Sequence, residues 1–207
     1  MNNKLVLSDD QQKVYDDLMK FIKSDKDNEI LLSSAAGTGK TTLAKVLIKE
    51  LHVDDFDVME INASRDNGVD YIRFKIEGFV QTIPFGKFKV VLLDEYQDTS
   101  QSQVRMLSAL YKDGHPVMAV GDPYQAIYGW RGAAIGTIKD FPNSFAINGD
   151  PEKVAEFKLS TTFRNDEAIL NLANQVGQVV GQQIKLNVKS LEPRPGAGPG
   201  LVLRDIY

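Results

Sequence analysis

Apolar and polar positions follow two different periods along the chain. Behind Ser8, Val14, Leu18, Phe21 and Ile22 recur at helical spacing, and the polar run SDKDN closes that segment. Ile30, Leu31 and Leu32 then form a short continuous apolar run. A glycine-containing stretch at 33–42 follows, after which Leu43, Val46, Leu47 and Leu51 return to the helical period. This is a strand–loop–helix unit. Further apolar runs predict strands at 57–61, 89–93, 116–120 and 157–160, with helices near 68–80, 101–111 and 166–180 between them. Strands alternating with helices imply a three-layer α/β/α domain around a mainly parallel sheet. The sequence holds no internal repeat. EPRPGAGPG at 192–200 is linker-like, and the apolar run LVLRDIY after it reads as a terminal strand.

Composition narrows the setting. With 43% hydrophobic and 25% charged residues the chain can fill a core, and no apolar run approaches the roughly 20 residues that span a bilayer. MNNKLVLSDDQQ at the start lacks the apolar centre of a signal peptide, so no membrane partner and a cytoplasmic location are expected. The absence of cysteine excludes disulfides and thiolate metal sites. A net charge of -4 excludes nucleic-acid binding driven by overall charge, and any such contact has to be local.

SAAGTGKT at 34–41 matches the Walker A phosphate-binding pattern except at its first position, where Ser34 replaces glycine. A strand precedes it and a helix follows, as the chemistry requires. Gly37 and Gly39 let the backbone approach an anion, so that the cradle is formed by Ala35, Ala36, Gly37, Thr38, Gly39, Lys40, Thr41 and Thr42. Lys40 supplies charge to the β- and γ-phosphates of ATP, and the Thr41 hydroxyl is a ligand for Mg²⁺. Asp94 and Glu95 end the apolar run KVVLL in the Walker B manner. Asp94 is the second candidate for Mg²⁺ and Glu95 the base for the attacking water. In VGDPYQ a glycine turn places Gln125 at the carboxyl edge of the sheet, where ligands bind in such folds. These features specify a P-loop NTPase domain. Downstream, Tyr128 and Trp130 offer faces on which unpaired bases can stack, and Arg131 a phosphate contact.

DEYQDTSQSQVRMLSAL followed by VGDPYQAIYGWRGA resembles motifs II and III of UvrD/Rep-type superfamily 1 helicases. The resemblance implies that Gln125 reads the γ-phosphate and links it to DNA-binding residues just downstream. LSTTFRNDEAILNLAN resembles motif IV of that family, which implies that Arg164 contacts the γ-phosphate. LSDDQQKVYDDL resembles the Q motif, which implies that Gln11 recognises adenine. The segment between Walker A and Walker B is too short for the large insertion such helicases carry there. INASRDNGVDYIRFKIEGF instead resembles the small subunits of sliding-clamp loaders.

The chain therefore reads as a mosaic: 7–51 and 94–207 resemble helicase, roughly 52–93 resemble clamp loader, and the P-loop region itself fits either. A chimera and a naturally compact NTPase both account for it. The expected organisation is a RecA-like ATPase lobe at 1–150, followed at 151–207 by the motif IV strand and helix that start a second lobe. The expected function is an ATP hydrolase, slow in isolation, that couples turnover to single-stranded DNA. Motifs V and VI have no match, which implies a chain that does not unwind duplex DNA without a second lobe or self-association. The alternatives are a clamp-loader-like ATPase acting through a protein partner and a non-catalytic chimeric P-loop protein.

Overall fold

In the computed structural model, which describes residues 7–24, 30–66, 68–111, 117–127, 129, 136–146, 150–184 and 189–203, helix α1 (Asp9–Lys23) begins with a capping box. Ser8 Oγ accepts the Gln11 N–H and Gln11 Oε1 accepts the Ser8 N–H. Strands and helices then alternate: β1 (Ile30–Ser33), α2 (Lys40–Glu50), β2 (Val58–Asn62), α3 (Val69–Gln81), β3 (Val90–Asp94), α4 (Gln101–Tyr111) and β4 (Val117–Gly121). After these come α5 (Phe141–Phe145), β5 (Ala155–Lys158), β6 (Thr161–Thr162), α6 (Glu167–Ile184) and β7 (Glu192–Pro193).

The main sheet runs β2-β3-β4-β1-β5, with every neighbouring pair parallel. Its inner strands are apolar throughout because both faces are covered. Leu31, Val91, Leu93, Val117 and Ala119 pack with residues of α3, α4 and α5 on one face. Ile30, Leu32, Val90, Leu92, Met118 and Val120 pack with α1 and α2 on the other. The result is the three-layer α/β/α, RecA-like P-loop fold. The carboxyl ends of β1, β3 and β4 lie side by side, which brings Ser33, Asp94 and Gly121 to one edge.

Three sequence expectations are corrected. The strand predicted at 157–160 lies at 155–158 and pairs with β1 in the main sheet, so it extends that sheet and does not open a second one. It stops early because the Ser160 and Thr161 N–H groups both donate to Asp10 Oδ2, at 2.7 and 3.1 Å, and leave the ladder. The Pro/Gly stretch carries the two-residue strand β7, which pairs with β6. The terminal strand does not form at 201–203. Leu201, Val202 and Leu203 have no sheet partner and are exposed, and 204–207 lie outside the described residues.

Asp10 thus ties the first turn of α1 to the chain after β5, with Ser160 Oγ at 3.1 Å and Lys189 Nζ at 3.6 Å as further partners. Burial alone would raise its pKa. The bonds from Ser160 and Thr161, together with Lys189, outweigh burial and hold it below the usual value. A carboxyl shifted down on folding stabilises the fold above the unfolded-state pKa, and that contribution is lost as pH falls through the folded value. Asp10→Ala is expected to cost about 1–3 kcal/mol at neutral pH by leaving two buried N–H groups unpaired. Melting curves of parent and variant should converge as the medium is acidified below the range of aspartate titration.

Candidate functional site

At the end of β1 the chain turns tightly. The Ser34 N–H donates to Gly121 O at 3.1 Å, Ser34 Oγ meets Thr38 Oγ1 at 2.5 Å, and Thr38 Oγ1 reaches Ala35 O at 3.1 Å. Thr38 is fully buried, so it is part of the loop's internal frame. Gly37 and Gly39 take φ values of 78° and 80°, the left-handed region that disfavours side chains. Space excludes a side chain there as well. A Cβ on Gly37 would lie 2.6 Å from Arg164 Cβ, and one on Gly39 would lie 2.6 Å from Gln11 Nε2. Gly39 caps α2 without a side-chain hydrogen bond, which leaves the first-turn N–H groups directed at the cavity. Lys40 Nζ donates to Ser34 O and Ala35 O at 2.7 and 2.8 Å. Burial, the largest effect, pushes its pKa down with help from Arg164, against the pull of Asp122, Glu95 and Asp94.

Across from the loop, Asp94 is held by both oxygens. Oδ1 accepts from Thr41 Oγ1 at 2.8 Å and Oδ2 from Asn62 Nδ2 at 3.3 Å. Asn62 is oriented in turn, since its Oδ1 accepts the N–H groups of Ser64 and Arg65 at 3.2 and 3.3 Å. Glu95 sits at φ 53°, an uncommon conformation for a residue with a side chain and one that recurs at functional sites. Its Oε2 accepts from Gln97 Nε2 at 2.8 Å. In the loop after β4, Asp122 Oδ2 accepts from Gln125 Nε2 at 2.7 Å. Burial raises the Asp122 pKa, opposed by Lys40 and by bonds from Tyr124 N–H and the Gln125 amide.

A cavity of about 490 Å³ opens between these groups, within the range of small-molecule sites. Ala36, Gly37, Gly39, Lys40, Thr41, Thr42, Asp94, Glu95, Gln125 and Arg164 all line it, together with Asp122 and Phe163. Ala35 faces a neighbouring cavity. Gln11 stands behind the loop, its Nε2 donating to Thr38 O at 2.9 Å. Phe163 and Arg164 arrive because β6 and the chain after it dock on the loop, where the Phe163 N–H donates to Gly37 O at 2.9 Å. Tyr128, Trp130 and Arg131 lie outside the described residues. The adjacent hydroxyl and carboxylate of Thr41 and Asp94 form a hard-oxygen donor set that fits Mg²⁺. Asn62, Gln97, Asp122 and Phe163 are site residues that sequence reasoning did not assign. All four belong to segments singled out in the sequence, but their roles depend on what each side chain faces.

Residues 79–146 match the UvrD/REP helicase N-terminal domain. The chain is also 37% identical over 110 residues to a replication factor C small subunit of Saccharolobus solfataricus, covering 50% of this chain and 33% of the relative. Replication factor C small subunit 2 of Pyrobaculum islandicum is 38% identical over 109 residues, 49% of this chain and 34% of that protein. The aligned part is thus about a third of the length of these curated relatives. Among solved structures, AMPPCP-bound DnaA from Aquifex aeolicus superposes with a TM-score of 0.48 at 13% identity, covering 89% of this chain and 55% of that one. Both sequence resemblances, to a UvrD-type helicase domain and to a clamp-loader subunit, are therefore present in one chain. Together with the P-loop they support an ATP-binding domain of the P-loop ATPase type. No described helix is long and apolar enough to cross a membrane.

Proposed function

We propose that this chain is an ATP- and Mg²⁺-binding P-loop NTPase, a helicase-like motor lobe that couples ATP hydrolysis to single-stranded DNA. The observation that carries this reading is the convergence of Lys40, Thr41, Asp94, Glu95, Gln125 and Arg164 on one cavity from four separate segments of the chain. Lys40 and the α2 N-terminus bind the β- and γ-phosphates. Thr41 and Asp94 would hold Mg²⁺, which would supply charge neutralisation at the phosphates. Glu95 takes the proton of the attacking water, Gln125 senses the γ-phosphate, and Arg164 meets the charge that develops in the transition state. Phe163, 42% exposed at the cavity wall, gives the nucleobase an aromatic face. Gln11 has one amide hydrogen and one lone pair beyond its bonds to Thr38 and Ser8 with which to read adenine. Tyr128, Trp130 and Arg131 follow Gln125 by a few residues, which supports a link between phosphate and DNA.

Steady-state ATP turnover with and without single-stranded DNA tests the proposal. Slow basal hydrolysis should rise severalfold with DNA, and the stimulation should fade with added salt as phosphate contacts are screened. Turnover indifferent to DNA at low salt would remove the DNA coupling. A second reading, an ATPase acting through a protein partner, is favoured by one feature of the clamp-loader-like segment. Phe56 and Phe85 lie with ring centroids 5.4 Å apart, and with Phe74 and Ile83 they are strongly exposed. DNA-independent turnover that a protein partner stimulates would favour that reading.

A further inference from the structure

Gln97 lies outside the cavity and is 2% exposed, yet it touches both sides of the machinery around it. Its Nε2 donates to Glu95 Oε2 at 2.8 Å, and its Oε1 accepts the Asp122 N–H at 3.0 Å. Beyond Asp122 the connection continues to Gln125 Nε2 at 2.7 Å. One buried amide thus connects the candidate base to the loop carrying the candidate phosphate sensor. The fold keeps room for it. A Cβ on Gly121 would lie 3.0 Å from Gln97 Oε1 and 2.8 Å from Ile138 Cδ1, so a side chain there would displace the Gln97 amide. An amide is the side chain this place requires, because one end must donate to a carboxylate and the other accept from a backbone N–H.

We propose that Gln97 is a positioning residue that sets the Glu95 carboxylate according to the state of the 121–125 loop. The proposal rests on the ATPase reading above. When a γ-phosphate draws the Gln125 amide away from Asp122, the loop shifts and Gln97 carries that shift to Glu95. Hydrolysis is then timed by the sensor, and Glu95 is kept from acting as a base in its absence. A buried amide bonded at one end to a carboxylate and at the other to a backbone N–H suits such a relay, because breaking either bond leaves a polar atom unsatisfied.

The test uses the whole 207-residue chain. Gln97→Met keeps length and burial but neither bond, whereas Gln97→Glu keeps the acceptor for Asp122 N–H and loses the donor to Glu95. Three quantities are measured on each: equilibrium binding of a fluorescent ATP analogue with Mg²⁺, steady-state turnover, and hydrogen exchange of the 95–99 and 121–125 segments with and without a non-hydrolysable ATP analogue. Both variants should bind the nucleotide within about twofold of the parent and lose about 10–100-fold in kcat with KM unchanged, the size of a weakened general base. Combining Gln97→Met with Gln125→Ala should lose no more than the larger single change, because both act through one connection. In Gln97→Met the exchange response to the analogue should remain at 121–125 and vanish at 95–99. Parental kcat, additive losses, or a response at 95–99 that survives in Gln97→Met would each overturn the relay. A parent that binds no ATP would overturn the ATPase reading and the relay with it. A parent that binds ATP without hydrolysing it would overturn turnover alone, and the exchange data would still decide the relay.

Discussion

Glu95→Gln should leave ATP binding close to that of the parent while turnover falls by about 10²–10⁴-fold, the span over which a general base contributes. The amide has nearly the shape of the carboxylate, so the cavity is preserved, but it cannot accept a proton from water. Its position makes the substitution informative. Glu95 stands at φ 53° just beyond β3 and contacts Gln97, whereas Asp94, one residue earlier, faces Thr41 and Asn62. Asp94→Asn should accordingly weaken the Mg²⁺ dependence of nucleotide binding, and Glu95→Gln should not. Paired measurements of ATP affinity against Mg²⁺ concentration and of phosphate release separate the two roles. Parental turnover in Glu95→Gln would show that the base lies elsewhere.

Lys40→Ala should weaken ATP binding by about 10–100-fold, as expected from losing charge-assisted hydrogen bonds of about 1.5–3 kcal/mol. The Ser34 and Ala35 carbonyls, which accept from Lys40 Nζ at 2.7 and 2.8 Å, would also lose that cation, so the loop itself should loosen. Burial has a consequence for pH. Because it lowers the Lys40 pKa, the charged form gives way at a less alkaline pH than for an exposed lysine, and ATP affinity should decline early on the alkaline side. Phosphate binding acts in the opposite direction, since it favours the protonated amine. Calorimetric titrations from neutral to alkaline pH should show this decline in the parent and not in Lys40→Ala. A parent whose affinity is flat across that range would mean that Lys40 is not the phosphate cation.

The sequence made the phosphate loop and the acidic strand end readable because their chemistry is local. Glycines at fixed spacing, a lysine at a helix start and two carboxylates after an apolar run keep their meaning without tertiary context. The alternating fold was readable for a similar reason, since strands buried on both faces are apolar at every position. What remained hidden depends on residues far apart in sequence. Nothing near Asp10 indicates that it will accept the N–H groups of Ser160 and Thr161, so the early end of β5 could not be read. Gln97 looks like one more polar residue in DEYQD until Asp122 N–H is placed against it. Asn62 lies in a segment recognised only by resemblance, and its amide matters because β2 ends beside β3. Phe163 follows the same logic, because the Gly37 carbonyl holds it at the cavity wall.

The straps over the phosphate loop come from both flanks of the fold: Gln11 of α1 behind Gly39, and Thr162, Phe163 and Arg164 over Gly37. Synthesis on the ribosome is vectorial, and domains close as their last contacts emerge. A nascent chain extruded through Gln125 already contains the Walker residues and that glutamine. It still lacks β5, the edge partner of β1, and the residues that lie over Gly37. Asp10 has no N–H groups to accept until Ser160 and Thr161 appear. Nucleotide competence is therefore expected late in translation, after the fifth strand, and a polypeptide arrested before that point would carry the Walker residues and Gln125 but neither Arg164 nor the contacts that close the loop.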